Sequence, residues 1–255
     1  MQRSILQRLV LPLLASVVLL TSTSCLDIIE RIKLKKDGSG VYTLNLDASK
    51  ALEMLMSFGG AAESEDGLGS MMEERQDTTI YFADQHDSIT NLWQHPAITS
   101  KASMAVLLDG PSEVMTMTIS LPFQNVDEID MFGEDFQRSG DLGMADLLGG
   151  GAGGENGALP ILHGDQFSFK PGRLTRMAVD PASMFGEMEE GEMGMMSMFL
   201  TTADYTVIYE LPGKAKSVEG EGVELKDKGR TVVMERNFGE LLDGTSNLAI
   251  KVKYK

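Results

Sequence analysis

The strongest constraint on the fold is a two-residue alternation of apolar and polar side chains that recurs between turn-forming residues. Ile28, Ile32 and Leu34 alternate with Arg31, Lys33 and Lys35. After Asp37-Gly38-Ser39-Gly40, Tyr42, Leu44 and Leu46 alternate with Thr43, Asn45 and Asp47. A strand points successive side chains to opposite faces, so each run predicts a strand with one buried face. Asp-Gly suits the positive-φ positions of a hairpin turn, so the two runs read as an antiparallel pair. The Asp37–Gly40 stretch looks superficially like part of a calcium loop, but it lacks the recurring acids and the distal glutamate.

The alternation returns downstream. Thr78 to Phe82 reads as a short strand. Met104 to Leu108, the turn Asp109-Gly110-Pro111 and Met115 to Leu121 read as a hairpin. Phe167 and Phe169, a Pro171-Gly172 turn and Leu174 to Val179 read as another. The last third reads as strand throughout: Tyr205 to Leu211, a Pro212-Gly213 turn, Val223 to Leu225, Thr231 to Arg236 and Leu248 to Tyr254. Between the strands, helical spacing appears from Ser49 through Leu52, Leu55, Met56 and Phe58, and again from Asn125 to Phe136 with acids in the first turn. A short helix is expected from Asp87 or Ser88 through Trp93, ended by Pro96. Asp180-Pro181 starts a further helix, weakened by Gly186, Gly191 and Gly194. Strand runs with a few interposed helices predict an α+β fold: mostly antiparallel curved sheet with helices packed on one face. Flexible Gly-rich loops are expected near 59–76 and 139–160. The run from Gly149 to Gly154 is no phosphate loop, since it has no Gly-Lys-Ser/Thr ending.

The first 24 residues follow a different logic. Arg3 and Arg8 are followed by an apolar run from Leu9 to Leu20 and by Thr21-Ser22-Thr23-Ser24. This is the layout of a cleavable secretory signal, and the run is too short to span a bilayer. The chain has one cysteine, Cys25, directly after it. A single cysteine makes no internal disulfide. Its position resembles the lipobox of bacterial lipoproteins, where small residues precede a cysteine that receives acyl chains such as palmitate. Ser22 stands where that pattern usually has Leu. The competing reading is an ordinary signal peptide and an incidental cysteine. The expectation is cleavage before Cys25, lipid on Cys25, and a single mature domain over 25–255 held at a membrane of the cell envelope. Leu26 and Asp27 do not settle which membrane; the outer one is favoured.

The whole chain carries a formal charge of −16. A leader with two arginines and no acid takes that to −18 when it is removed. A net charge of this sign repels nucleic acid and anionic lipid headgroups at long range, which excludes DNA or RNA as a partner.

Several stretches resemble a group of uncharacterised bacterial lipoproteins and the LppM-type lipoprotein domain: Ile32 to Lys50, Asp77-Thr78-Thr79-Ile80, Leu121 to Glu128, and Tyr205 to Tyr254 with Leu211-Pro212-Gly213-Lys214. The resemblance covers most of the mature chain. It implies a sheet-plus-helix domain that binds lipid or glycolipid. It carries no catalytic residues, and the long Gly-rich loop departs from it.

No catalytic site stands out. His86, His95 and His163 lack zinc-ligand spacing. There is no Gly-x-Ser-x-Gly elbow, and a lipidated Cys25 leaves no thiol for nucleophilic work. The expectation is a protein that is not an enzyme and holds no cofactor. Eighteen methionines are many for this length. Met184, Met188, Met195 and Phe199 share one side of the expected helix, with Met196 beside them. They read as an apolar packing or ligand surface, since Met fills irregular apolar space. Thioethers also suit Cu(I), which gives a copper-handling alternative through Met188, Met193, Met195 and Met196. The leading reading is a membrane-anchored binding module for a lipid or hydrophobic ligand. A structural or assembly lipoprotein contacting other envelope proteins is the other alternative.

Overall fold

The computed structural model describes residues 24, 26–57, 75–85, 90–138, 166–178 and 201–255. The strands in chain order are β1 (Asp27–Leu34), β2 (Gly40–Asp47), β3 (Gln76–Tyr81), β4 (Ser103–Asp109), β5 (Val114–Phe123), β6 (Phe167–Lys170), β7 (Arg173–Arg176), β8 (Asp204–Glu210), β9 (Ala215–Glu219), β10 (Val223–Lys226), β11 (Thr231–Asn237) and β12 (Ile250–Tyr254). The helices are α1 (Ser49–Ser57), α2 (Pro96–Thr99), α3 (Asp127–Arg138) and α4 (Phe238–Leu242). The fold is α+β.

Eight strands form one open sheet in the order β10-β11-β8-β1-β2-β5-β4-β3, and four form a second in the order β6-β7-β12-β9. The expected hairpins β1–β2, β4–β5 and β6–β7 are present in antiparallel register. β1 also pairs β8, and this pair is parallel, with Ile28 opposite Tyr205 and Ile32 opposite Tyr209. A parallel pair needs a long crossover, and this one encloses most of the chain between its two strands.

Parity sets the core. On β1 the even positions Ile28, Glu30, Ile32 and Leu34 are buried; on β2 they are Tyr42, Leu44 and Leu46, and on β8 the odd positions Tyr205, Val207 and Tyr209. The register aligns these residues on one face, and a one-residue slip would expose all of them. The second sheet closes that face with Leu174, Arg176, Ile250, Val252 and Tyr254, all buried. α3 adds Ile129, Phe132 and Phe136, and the two phenylalanine rings meet Phe82. The outer face of the large sheet is polar at its centre, where Asn45 Nδ2 donates to Thr118 Oγ1 at 2.8 Å.

Three local expectations change. Pro96 starts a helix instead of ending one, at a first-turn position where a missing N–H costs nothing. The last third is not all strand, because α4 interrupts it after Asn237. β9 is an added strand, paired with β12 in the small sheet. The Met-rich helix expected after Asp180, the first residues of the short helix expected from Asp87 or Ser88, and the loops expected near 59–76 and 139–160, apart from Arg75 and Gln76 where β3 opens, lie outside the described residues.

Candidate functional site

Two places gather polar side chains. The first lies between the sheets. Arg176 projects inward from β7, in phase with Leu174, and Glu30 projects from β1, in phase with Ile28 and Ile32. Arg176 Nη1 donates to Glu30 Oε2 at 2.8 Å, and its Nε and Nη2 donate to Gln166 Oε1 at 3.1 and 2.8 Å. The Tyr205 hydroxyl donates to the same Glu30 oxygen. The guanidinium also stacks over Phe167, 5.0 Å from the ring centre. Glu30, Arg176 and Tyr205 are each 1% exposed. A charge costs a great deal to bury alone, so this pair is stable only because each partner answers the other.

The surrounding tyrosines feel the same field. Burial pushes the Tyr205 and Tyr42 hydroxyls well above the ordinary phenol value, and the Glu30 carboxylate pushes them further. Burial raises Tyr209 to about 12, with the Arg176 cation working against it. For Arg176 burial opposes the charge, yet Glu30 and the tyrosines hold the guanidinium well above its ordinary value. Among the described residues the Tyr42 and Tyr254 hydroxyls have no hydrogen-bond partner, and that of Tyr209 faces the guanidinium outside hydrogen-bond geometry. The cluster is sealed from solvent, so it braces the core and offers no substrate access.

The second place is a cleft of about 850 Å³ at the end of the large sheet where β1 begins. Asp27, Asp204, Glu221, Glu235 and Glu240 line it, and among the described residues Ile28 and Ile29 are its only large apolar side chains. Arg236 is the one cation among those same residues. Its Nη1 donates to Glu235 O at 2.8 Å, its Nε to Asn247 O at 3.3 Å and its Nη2 to Glu221 O. Those bonds spend the guanidinium on holding two loops together. Among the described residues no three His, Cys, Asp or Glu side chains are placed to hold a metal ion. The cleft is therefore a recess walled largely by acidic and polar side chains.

The chain reaches this end directly from Cys25, with only Leu26 before β1. Ser24 Oγ donates to Leu26 O at 2.6 Å and accepts from Asp204 N–H at 3.0 Å. The same Asp204 N–H reaches Leu26 O at 3.0 Å. Cleavage after Ser24 would leave that last bond in place.

Of the residues singled out from sequence, Cys25, Met184, Met188, Met193, Met195, Met196 and Phe199 lie outside the described residues, as do His86 and His163. His95 precedes α2, with its Nε2 3.6 Å from Glu134 Oε2 and its N–H held by Asp135. Glu30 and Arg176 belong to no motif. Their one sequence signal is phase: each is a charged residue on the apolar parity of its strand.

These features define an open two-sheet α+β domain with a buried ion pair and a polar cleft beside its first strand. No known protein family and no curated protein matches the sequence. Among solved structures the fold is similar to the NMR structure of the folded domain of the LppM protein of Mycobacterium tuberculosis, with a TM-score of 0.39 and 9% identity over 91% of this chain and 90% of that one. Likeness at that level carries no argument about function.

Proposed function

We propose that the protein is an exported, lipid-anchored domain of the bacterial cell envelope that acts as a binding module and not as an enzyme. One observation carries the reading. The only cysteine follows an apolar leader with a basic start and stands one residue before the first strand. An anchor at Cys25 would sit within about 7 Å of the sheet, since two extended residues span no more. Several acyl chains on that cysteine would give stable attachment, because each buried CH₂ contributes about 0.8 kcal/mol. No helix among the described residues is long and apolar enough to cross a membrane.

The ligand of the module is a lipid or another hydrophobic molecule in the reading that Met184, Met188, Met195, Met196 and Phe199 support. The polar lining of the cleft favours the second reading, an envelope protein that contacts other proteins in assembly. The test is intact mass spectrometry of the protein extracted from its native membranes, beside Cys25→Ala. A mass that begins at Cys25 with added acyl chains, absent from the variant, supports the anchor. A mature protein without lipid, free of the membrane fraction, overturns it. Lipid co-extracted with the wild type favours the hydrophobic ligand, and reproducible cross-linking to envelope proteins favours assembly.

A further inference from the structure

The negative total charge hides a strong separation along the strand axis. Pairing places Asp47 and Asp204 beside Asp27 at the end where β1 starts. The opposite end lies about 25 Å away, the length of an eight-residue strand. There the β1–β2, β6–β7, β8–β9 and β10–β11 turns meet the end of β12.

Their contacts are specific. A Cβ on Gly38 would lie 2.5 Å from the Phe169 ring, so the β1–β2 turn, which carries Lys35 and Lys36, sits on the β6–β7 hairpin. Lys255 N–H donates to Lys214 O at 3.1 Å, and Leu211 N–H donates to Arg230 O at 2.8 Å. The Lys214 side chain runs past Gly229, next to Lys228. The side chains of Lys35, Lys36, Lys214, Lys228, Arg230 and Lys255 are exposed, and none forms an ion pair among the described residues. The acids of these turns have local partners, and the two that accept from hydroxyls keep their charge. Glu210 faces Arg31 and Lys33, Glu224 faces Lys226, and Asp37 and Asp227 accept from Ser39 and Thr231.

We propose that this end is a docking surface for the anionic headgroups of a lipid bilayer. The cations are almost all lysine, a hydrated point charge on a flexible stem, which suits a diffuse field better than the planar fork of arginine suits a defined pocket. Among the described residues no exposed aromatic stands on these turns to stack on a base, since the exposed Tyr81 lies on β3 at the other edge of the large sheet, so the surface lacks what single-stranded nucleic acid requires. Clustered lysines near an anionic leaflet each add binding energy, and the sum falls with salt. The patch stands on the described residues alone. Its position opposite a lipid on Cys25 rests on the proposed anchor, and with that anchor the domain would join its own membrane to a second anionic surface.

The test loads the purified full protein onto phosphatidylcholine vesicles and adds a second, dye-filled population with or without phosphatidylglycerol. Loading reports the anchor, and recruitment of the second population reports the patch. If the protein does not load, it is pelleted directly with the second population, so the two readings fail separately. The expected result is capture of the phosphatidylglycerol vesicles alone, lost in high salt. Lys36→Glu/Lys214→Glu/Lys228→Glu should weaken capture on the order of 100-fold, and the matching arginine triple variant should retain it. A melting curve checks that both variants fold. Capture that is absent, or unchanged by the charge reversal, overturns the proposal. So does indifference to phosphatidylglycerol with tight binding to polyglutamate, which would make an acidic protein the partner.

Discussion

Arg176 and Glu30 are joined by a 2.8 Å hydrogen-bonded ion pair across the two sheets, although 146 positions separate them in the chain. Both are sealed from water, and the pair ties the small sheet to β1, a central strand of the large one. Removing one partner strands a buried charge. Arg176→Ala or Glu30→Ala should cost about 3–5 kcal/mol. Arg176→Met/Glu30→Leu should recover most of that loss, because no unanswered charge is then left between the sheets. Urea denaturation of the three variants checks it. A double variant no more stable than the singles would contradict this account.

The tyrosines around the pair predict alkaline sensitivity. Tyr42, Tyr205 and Tyr209 hold their protons above the ordinary value of 10.0, Tyr209 to about 12. A raised folded value means the unfolded chain releases its protons first. The stabilisation is therefore complete below pH 10 and is lost as pH climbs through about 12. The denaturant midpoint should fall across that window, together with a late rise in phenolate absorbance. Tyrosines that all ionise near pH 10 while the fold persists would count against it.

Asp135 on α3 is a staple for the neighbouring segment. It is fully buried and accepts from Gln94 N–H at 2.6 Å, His95 N–H at 2.9 Å and Thr99 Oγ1 at 2.6 Å. Asp135→Ala leaves these donors without their acceptor and should destabilise by about 3 kcal/mol, with Asp135→Asn between it and the wild type. Hydrogen exchange at the Gln94 and His95 amides should quicken in the alanine variant. Unchanged exchange would show that other groups hold this segment.

Gly40 sits where the first hairpin meets β5, opposite Phe123. A Cβ there would run into Lys33 O and lie 2.6 Å from the Phe123 ring. Gly40→Ala should cost about 1–3 kcal/mol through displacement of β1 or the ring. Thermal unfolding measures it, and a melting temperature equal to the wild type would mean the strands separate freely.

Pairing between strands adjacent in the chain is legible in the amino-acid order. β1 with β2, β4 with β5 and β6 with β7 are joined by Asp-Gly or Pro-Gly turns between alternating runs, and both signals are local. The first turns of α1 and α3 are legible for the same reason. Of the two polar places, the cleft is not legible, because its walls come from β1, β8, β11 and two loops far apart in the chain. The ion pair leaves only a trace, two charges on apolar parity.

The sequence by itself determined which residues form most of the strands, which face of each is buried, and where an apolar N-terminal run and a lone cysteine stand, because these follow from neighbours a few positions apart. Only the tertiary structure decided that β1 lies parallel to β8, that Glu30 answers Arg176, and that lysines from several turns and the end of β12 collect at one end. Those outcomes depend on long-range strand order and register. A period-two pattern fixes which side of a strand faces the core and leaves open which strand it will find as its neighbour.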